Sequence, residues 1–97
     1  MNKKYRIIIW GAGNIGREAL QHVSDWVEVL GFMDNNASIK EFGGLKRLEM
    51  EELRKKDRYD FVVICSVFFK EIYRQLVGGG GETRKDIVRS YAPVKAL

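Results

Sequence analysis

Three glycines and one aspartate carry the clearest chemistry in this chain. Gly11, Gly13 and Gly16 stand in G-x-G-x-x-G spacing, and Asp34 follows 18 residues after the last of them. Glycine at the first position allows a tight turn. At the second it lets a phosphate approach the backbone, and at the third it lets a helix pack close to a strand. A helix opening at Gly13 and Asn14 would offer unpaired N–H groups at the positive end of its dipole. An anion could be held there without any basic side chain. A carboxylate at the end of the next strand can accept hydrogen bonds from ribose hydroxyls, which is the expected role of Asp34.

The flanking pattern supplies the elements such a site requires. The apolar run Ile7-Ile8-Ile9-Trp10 enters the glycine turn, Tyr5 to Trp10 reads as a buried parallel strand, and Asn14 to about Val23 reads as a helix with Ile15, Ala19, Leu20 and Val23 on one face. Val27 to Met33 is a second apolar strand, and Asp34-Asn35-Asn36 is a turn. Gly43-Gly44 breaks the stretch from Ile39 to Leu48. Leu45 to Leu48 is expected as a short edge strand kept soluble by Lys46 and Arg47. Glu49 to Lys56 is predicted as a short helix, with Glu51–Lys55 and Glu52–Lys56 as i,i+4 pairs.

Tyr59 to Cys65 is a third strand. Ser66 is placed to cap a helix whose apolar stripe includes Phe68, Phe69, Ile72, Tyr73, Leu76 and Val77. Gly78 to Gly81 end it, Asp86 to Tyr91 is a last strand, and Pro93 ends the regular structure.

This alternation predicts a Rossmann-like three-layer α/β/α sandwich around a mostly parallel sheet, with right-handed crossovers. The expected strand order is second, first, the Tyr59 strand, the Asp86 strand. Ligands of open α/β sheets bind where that order reverses, beyond the carboxyl ends of the strands. Three segments meet there: Gly11 to Asn14, Asp34 to Asn36, and Cys65 to Val67. The expected ligand-binding set is Gly11, Ala12, Gly13, Asn14, Ile15, Gly16, Asp34, Asn35 and Ser66. Asn14 and Ser66 each have a plainer alternative role as a helix N-cap. Trp10 and Trp26 are expected in a core or an interface rather than stacked on a base.

Composition narrows the class. Residues 1–97 are expected to form one domain with one core. At 45% hydrophobic and 31% charged, the chain reads as an ordinary globular protein. No apolar run approaches the roughly 18 residues of a membrane span. The net charge of +4 is scattered, and the cluster Arg54-Lys55-Lys56 with Arg58 reads as a solvated helix end, so nucleic acid is not an expected partner. The single cysteine, Cys65, is expected to be buried and fits a reducing cytoplasm. The single histidine, His22, falls late in the first helix, remote from the glycine turn, and no metal site is expected. No catalytic constellation is expected to act within these 97 residues, so the chain by itself is not expected to be an enzyme.

Taken together, IIIWGAGNIGREAL, VEVLGFMDNN, FGGL and YDFVVICS resemble a known small domain. It is the Rossmann-like N-terminal domain of bacterial sugar N- and O-acetyltransferases that carry a left-handed β-helix. The same pattern is similar to the NAD(P)-binding segment of capsule-type nucleoside-diphosphate-sugar epimerases and dehydratases. The resemblance spans about residues 5 to 91. It implies that Gly11, Gly13 and Gly16 face a diphosphate and that Asp34 and Asn35 face a nucleoside. The implied ligand is a UDP-sugar or NAD. The implied partner is a catalytic domain in the same or another chain, in surface-glycan biosynthesis. The family often has two or three acids where this chain has Asp34-Asn35-Asn36, and an apolar pair where it has Lys46-Arg47. Three functions stay open: a nucleotide-sugar-binding module, the cofactor half of an epimerase or dehydratase, and a structural domain that has lost its ligand.

Overall fold

A computed structural model of the chain describes residues 5–78 and 83–91. Strand β1 (Tyr5–Trp10) leads into helix α1 (Asn14–Gln21) and strand β2 (Val27–Met33). A hairpin of β3 (Glu41–Phe42) and β4 (Leu45–Lys46) comes next, then the single-turn helix α2 (Met50–Leu53). Strand β5 (Phe61–Ile64), helix α3 (Phe69–Val77) and strand β6 (Val88–Ser90) complete the order. The four long-range strands form one parallel sheet in the order β2-β1-β5-β6, as expected. The fold is a Rossmann-like α/β sandwich.

Both faces of the sheet are covered, which explains why β1 is apolar from Ile7 to Trp10 rather than alternating. Ile7 and Ile9 pack with Val63, Cys65 and the Ala19 face of α1. Ile8, Trp10, Val62 and Ile64 point the other way, onto Leu53 of α2 and onto Ile72 and Leu76 of α3. Leu53, Ile64 and Leu76 are fully buried. Each such side chain contributes about 1.5–3 kcal/mol relative to an exposed one. Tyr59 closes this layer, its hydroxyl donating to the Leu53 carbonyl at 2.5 Å.

Several elements are shorter than predicted. Helix α1 stops at Gln21, and α2 is one turn followed by a 3-10 turn at Lys56–Arg58 rather than a helix to Lys56. The charge pair formed there is Lys55 with Glu52, at 3.0 Å and spaced i,i+3, not the expected Glu51–Lys55. The last strand begins only at Val88, after a 3-10 turn at Lys85–Ile87. Gly43 and Gly44 break the stretch from Ile39 to Leu48 as expected. At φ +57° and +78° they make the two-residue turn of the β3–β4 hairpin.

A bulge in β2 pairs Ile7 with Val29 but Ile8 with Gly31, leaving Leu30 over. Val29 therefore packs on the α1 side, while both Leu30 and Met33 pack on the α2–α3 side. Gly78 ends α3 as expected, its N–H donating to the Arg74 carbonyl at 2.8 Å. Gly79 to Gly81 and Pro93 lie outside the described residues. Among the described residues no helix is long and apolar enough to cross a membrane.

Candidate functional site

The site starts where β1 ends. The Gly11 N–H donates to the Met33 carbonyl at 2.8 Å, tying the turn to the end of β2. Gly11 has φ +120°, and a Cβ there would collide with the Cys65 carbonyl. A Cβ at Gly16 would collide with the Gly11 carbonyl and lie 3.2 Å from Cζ of Phe42. These two glycines are therefore demanded by the fold itself. Gly13 is different. Its φ is −110°, which any residue adopts, and a Cβ there would meet nothing within 4 Å. The space beside Gly13 is kept open by no packing need.

Gly13 is also the N-cap of α1, and no side chain caps the helix. The N–H groups of Asn14, Ile15 and Gly16 belong to the first turn and have no intrahelical acceptor. The turn opens onto a crevice of about 630 Å³. Gly11, Gly13, Asn14 and Ile15 line it from the turn, Asp34 and Asn35 from the end of β2, and Cys65 and Ser66 from the end of β5. The three segments expected to converge do so. Ala12 and Gly16 are not among the lining residues, and neither is His22. Among the described residues no lysine or arginine lines the crevice, while Asp34 and Glu71 both do.

Some side chains act differently from expectation. Asp34 is already engaged: Oδ2 accepts the Ala12 N–H at 2.8 Å and Oδ1 accepts the Asn36 N–H at 2.8 Å. Its carboxylate braces the glycine turn from the neighbouring strand. Asn14 does not cap α1; it is the first helical residue, and its Oδ1 accepts from Arg17 at 3.1 Å. Ser66 does not cap α3 either. Its Oγ accepts the Phe68 N–H at 3.0 Å in a local turn, and the helix begins after an N-cap at Phe68. Trp10 is buried as expected, and Trp26 is half exposed.

Cys65 is buried, and that burial pushes its thiol pKa up to about 12, so it is no nucleophile. Tyr91 and Lys95 stand in the Tyr-x-x-x-Lys spacing of a sugar-dehydrogenase acid–base pair, which the sequence reading overlooked. Tyr91 packs on the α1 face away from the crevice, its pKa raised chiefly by desolvation, and Lys95 lies outside the described residues. Among the described residues no group of His, Cys, Asp or Glu could hold a metal ion.

Other residues at the site gave no motif signal. Val67 and Phe68 stand 79% and 63% exposed at the crevice, although Phe68 fits the helical stripe by spacing. Glu71 and Ile72 line it from α3. Asn35 and Gln75 form a reciprocal amide pair, at 3.2 and 3.0 Å, that bridges the β2 loop to α3. Arg47 is half-buried beneath the same loop rather than keeping an edge soluble, and its guanidinium donates to three backbone carbonyls.

A family model described as C2185-like, N-terminal, matches residues 3–87. The chain belongs to the C2185-like N-terminal family. The fold of this family member is similar to that of an NAD-binding protein from Listeria innocua, with a TM-score of 0.61 and 25% sequence identity. That similarity covers 94% of the C2185-like chain and 28% of the Listeria protein, so the chain spans well under half of that relative's length. No protein of curated function matches the chain.

Proposed function

We propose that this C2185-like chain is a nucleotide-binding module that seats a nucleoside diphosphate group in the crevice. The diphosphate takes the first-turn N–H groups of Asn14 and Ile15, with Gly11 and Gly13 beneath it. The nucleoside lies toward Asp34 and Asn35, and Ser66 faces the ligand from the third strand. Gly16 and Ala12 shape the turn from behind. The observation that carries this reading is Gly13: an unfilled position at an uncapped helix N-terminus, where neither sterics nor φ calls for glycine. The crevice volume also falls in the range of small-molecule sites.

The ligand on this reading is a UDP-sugar-like nucleotide-sugar, by the resemblance to the acetyltransferase domain, and the setting is bacterial surface-glycan synthesis in the cytoplasm. The 97 residues act as one domain, with catalysis supplied by another domain or chain. A second reading, the NAD-binding half of a sugar epimerase or dehydratase, is favoured by the Listeria protein's description as NAD-binding. Asp34 would then prefer a free ribose 2′-hydroxyl and repel a 2′-phosphate.

Calorimetric titration with UDP, a UDP-sugar, NAD and NADP separates the readings. Binding of UDP and the UDP-sugar supports the first. Binding of NAD over NADP supports the second. Silence toward all four overturns both and leaves a structural domain that has lost its ligand.

A further inference from the structure

Arg47 links the sheet to the loop that follows β2. Its backbone is pinned to β2: residue 47 bridges Phe32, and the Leu48 N–H donates to the Phe32 carbonyl at 2.8 Å. The side chain crosses the Phe32 ring, 5.9 Å from its centroid, and ends under the 34–39 loop. There the guanidinium donates to the carbonyls of Asp34, Asn36 (3.0 Å) and Ile39 (2.7 Å).

Three N–H groups of that loop are met separately. Asn36 donates to the Asp34 carboxylate, Ser38 donates to Asn36 Oδ1 at 3.0 Å, and Ile39 donates to the Asn36 carbonyl at 3.2 Å. Three carbonyls converging on one point repel one another unless a cation sits among them. A planar guanidinium can serve several acceptors at fixed angles, which a compact ammonium does less well.

We propose that Arg47 is a positioning residue for nucleotide recognition: by gathering these three carbonyls it holds the loop so that the Asp34 carboxylate meets the Ala12 N–H and Asn35 faces the crevice. This rests on the nucleotide reading above. The line of contacts runs from the hairpin through Arg47 to Asp34 and on to the glycine turn. Arg47 touches no ligand itself. It decides where the groups that do so stand.

The test pairs a ligand-free readout with a binding one. Amide hydrogen exchange is followed at Ala12, Asn36, Ser38 and Ile39 in the wild type, Arg47→Gln, Arg47→Lys and, as a control, Lys46→Gln. UDP, NAD and NADP affinities are measured on the same four proteins. Arg47→Gln is expected to speed exchange at all four amides while Ile9 keeps its protection. It should weaken binding of UDP or NAD, whichever the wild type binds, by about tenfold, the effect of losing roughly one charge-assisted hydrogen bond. It should also narrow the NAD-to-NADP ratio, because a released Asp34 no longer guards the 2′ position. Arg47→Lys keeps the charge and the backbone bridge, and is expected to show the same changes in smaller measure. Lys46→Gln should match the wild type.

Unchanged exchange in both Arg47 variants overturns the clamp. Faster exchange with unchanged affinity for UDP or NAD, whichever the wild type binds, overturns its role in recognition. A wild-type chain that binds neither NAD nor UDP overturns the nucleotide reading and that role with it, while the exchange data still judge the clamp.

Discussion

Replacing Gly13 with valine separates a glycine kept for a ligand from a glycine kept for the fold. In the structure the new Cβ meets nothing within 4 Å, and φ −110° suits valine. Two small effects on stability remain. Valine is a poorer N-cap than glycine, a cost of about 0.5–1 kcal/mol. Against that, the unfolded chain loses freedom, which returns about 0.4–1 kcal/mol. The net change should stay within about 1 kcal/mol, or roughly 4–8 °C in Tm for a domain of this size.

Binding should respond far more strongly. The valine methyls would occupy the space through which a phosphate reaches the first-turn N–H groups. Losing two hydrogen bonds to a charged oxygen, at about 1.5–3 kcal/mol each, removes about 3–6 kcal/mol. That is a hundredfold or greater loss of affinity. Thermal unfolding reads both quantities at once. A ligand at about one hundred times its Kd adds about 2.7 kcal/mol to the wild type, which is a rise on the order of 11–22 °C. Gly13→Val should unfold near the unliganded wild-type temperature and show no rise. The companion Gly16→Ala should fail to fold, since its Cβ would run into the Gly11 carbonyl. A folded Gly13→Val protein that keeps the wild-type rise would refute the argument.

Three further outcomes are expected. Asp34→Ala strands the Ala12 and Asn36 N–H groups and should lower unfolding free energy by about 1–3 kcal/mol in urea titration; an unchanged midpoint would show that the brace contributes nothing. The Asp60 carboxylate accepts the Arg6 backbone N–H at 2.7 Å and, more weakly, its guanidinium, and these hold its pKa below the ordinary value. A depressed folded pKa stabilises above the unfolded value, near 3.9, and that stability is lost as pH falls through the folded pKa. The stability gap between wild type and Asp60→Asn should accordingly be full at neutral pH and close on acidification below about pH 4, and a gap that persists in acid contradicts this. With its pKa near 12, Cys65 should resist an aromatic disulfide reagent at pH 8 until the chain unfolds, so rapid release of one equivalent from native protein would contradict its burial.

Much of the architecture was legible because it rests on local signals. The runs Ile7 to Trp10, Val29 to Met33 and Phe61 to Ile64 carry no polar side chain, and crossover handedness orders the strands once those are seen. The meeting of the three segments follows from that order. What escaped depends on long side chains reaching across the fold. Arg47 and the carbonyl of Asp34 lie 13 residues apart, and Asn35 and Gln75 lie 40 apart. Neither contact leaves a periodic trace. Phe68 fits a helical stripe by spacing, yet the Ser66 turn delays the helix and leaves the ring outside. Leu30 was invisible as a bulge because every residue around it is apolar or glycine, so either register reads alike.

On the proposed nucleotide reading, the crevice takes an anion with no lysine or arginine among its described lining residues. Lysine and arginine clamps weaken as salt rises, because exposed charges farther apart than about 8 Å are screened at physiological ionic strength. Backbone N–H groups a hydrogen bond away from a phosphate are far less exposed to that screening. Two carboxylates, Asp34 and Glu71, stand at the same crevice. They offset the pull of a chain whose net charge is +4. Capture there gains little from long-range steering, but retention should vary little between dilute buffer and concentrated salt. The same arrangement filters by total charge. A diphosphate flanked by neutral groups fits the few donors of one helix turn, whereas a triphosphate or a polyanion brings more charge than those donors can offset and meets the carboxylates as well.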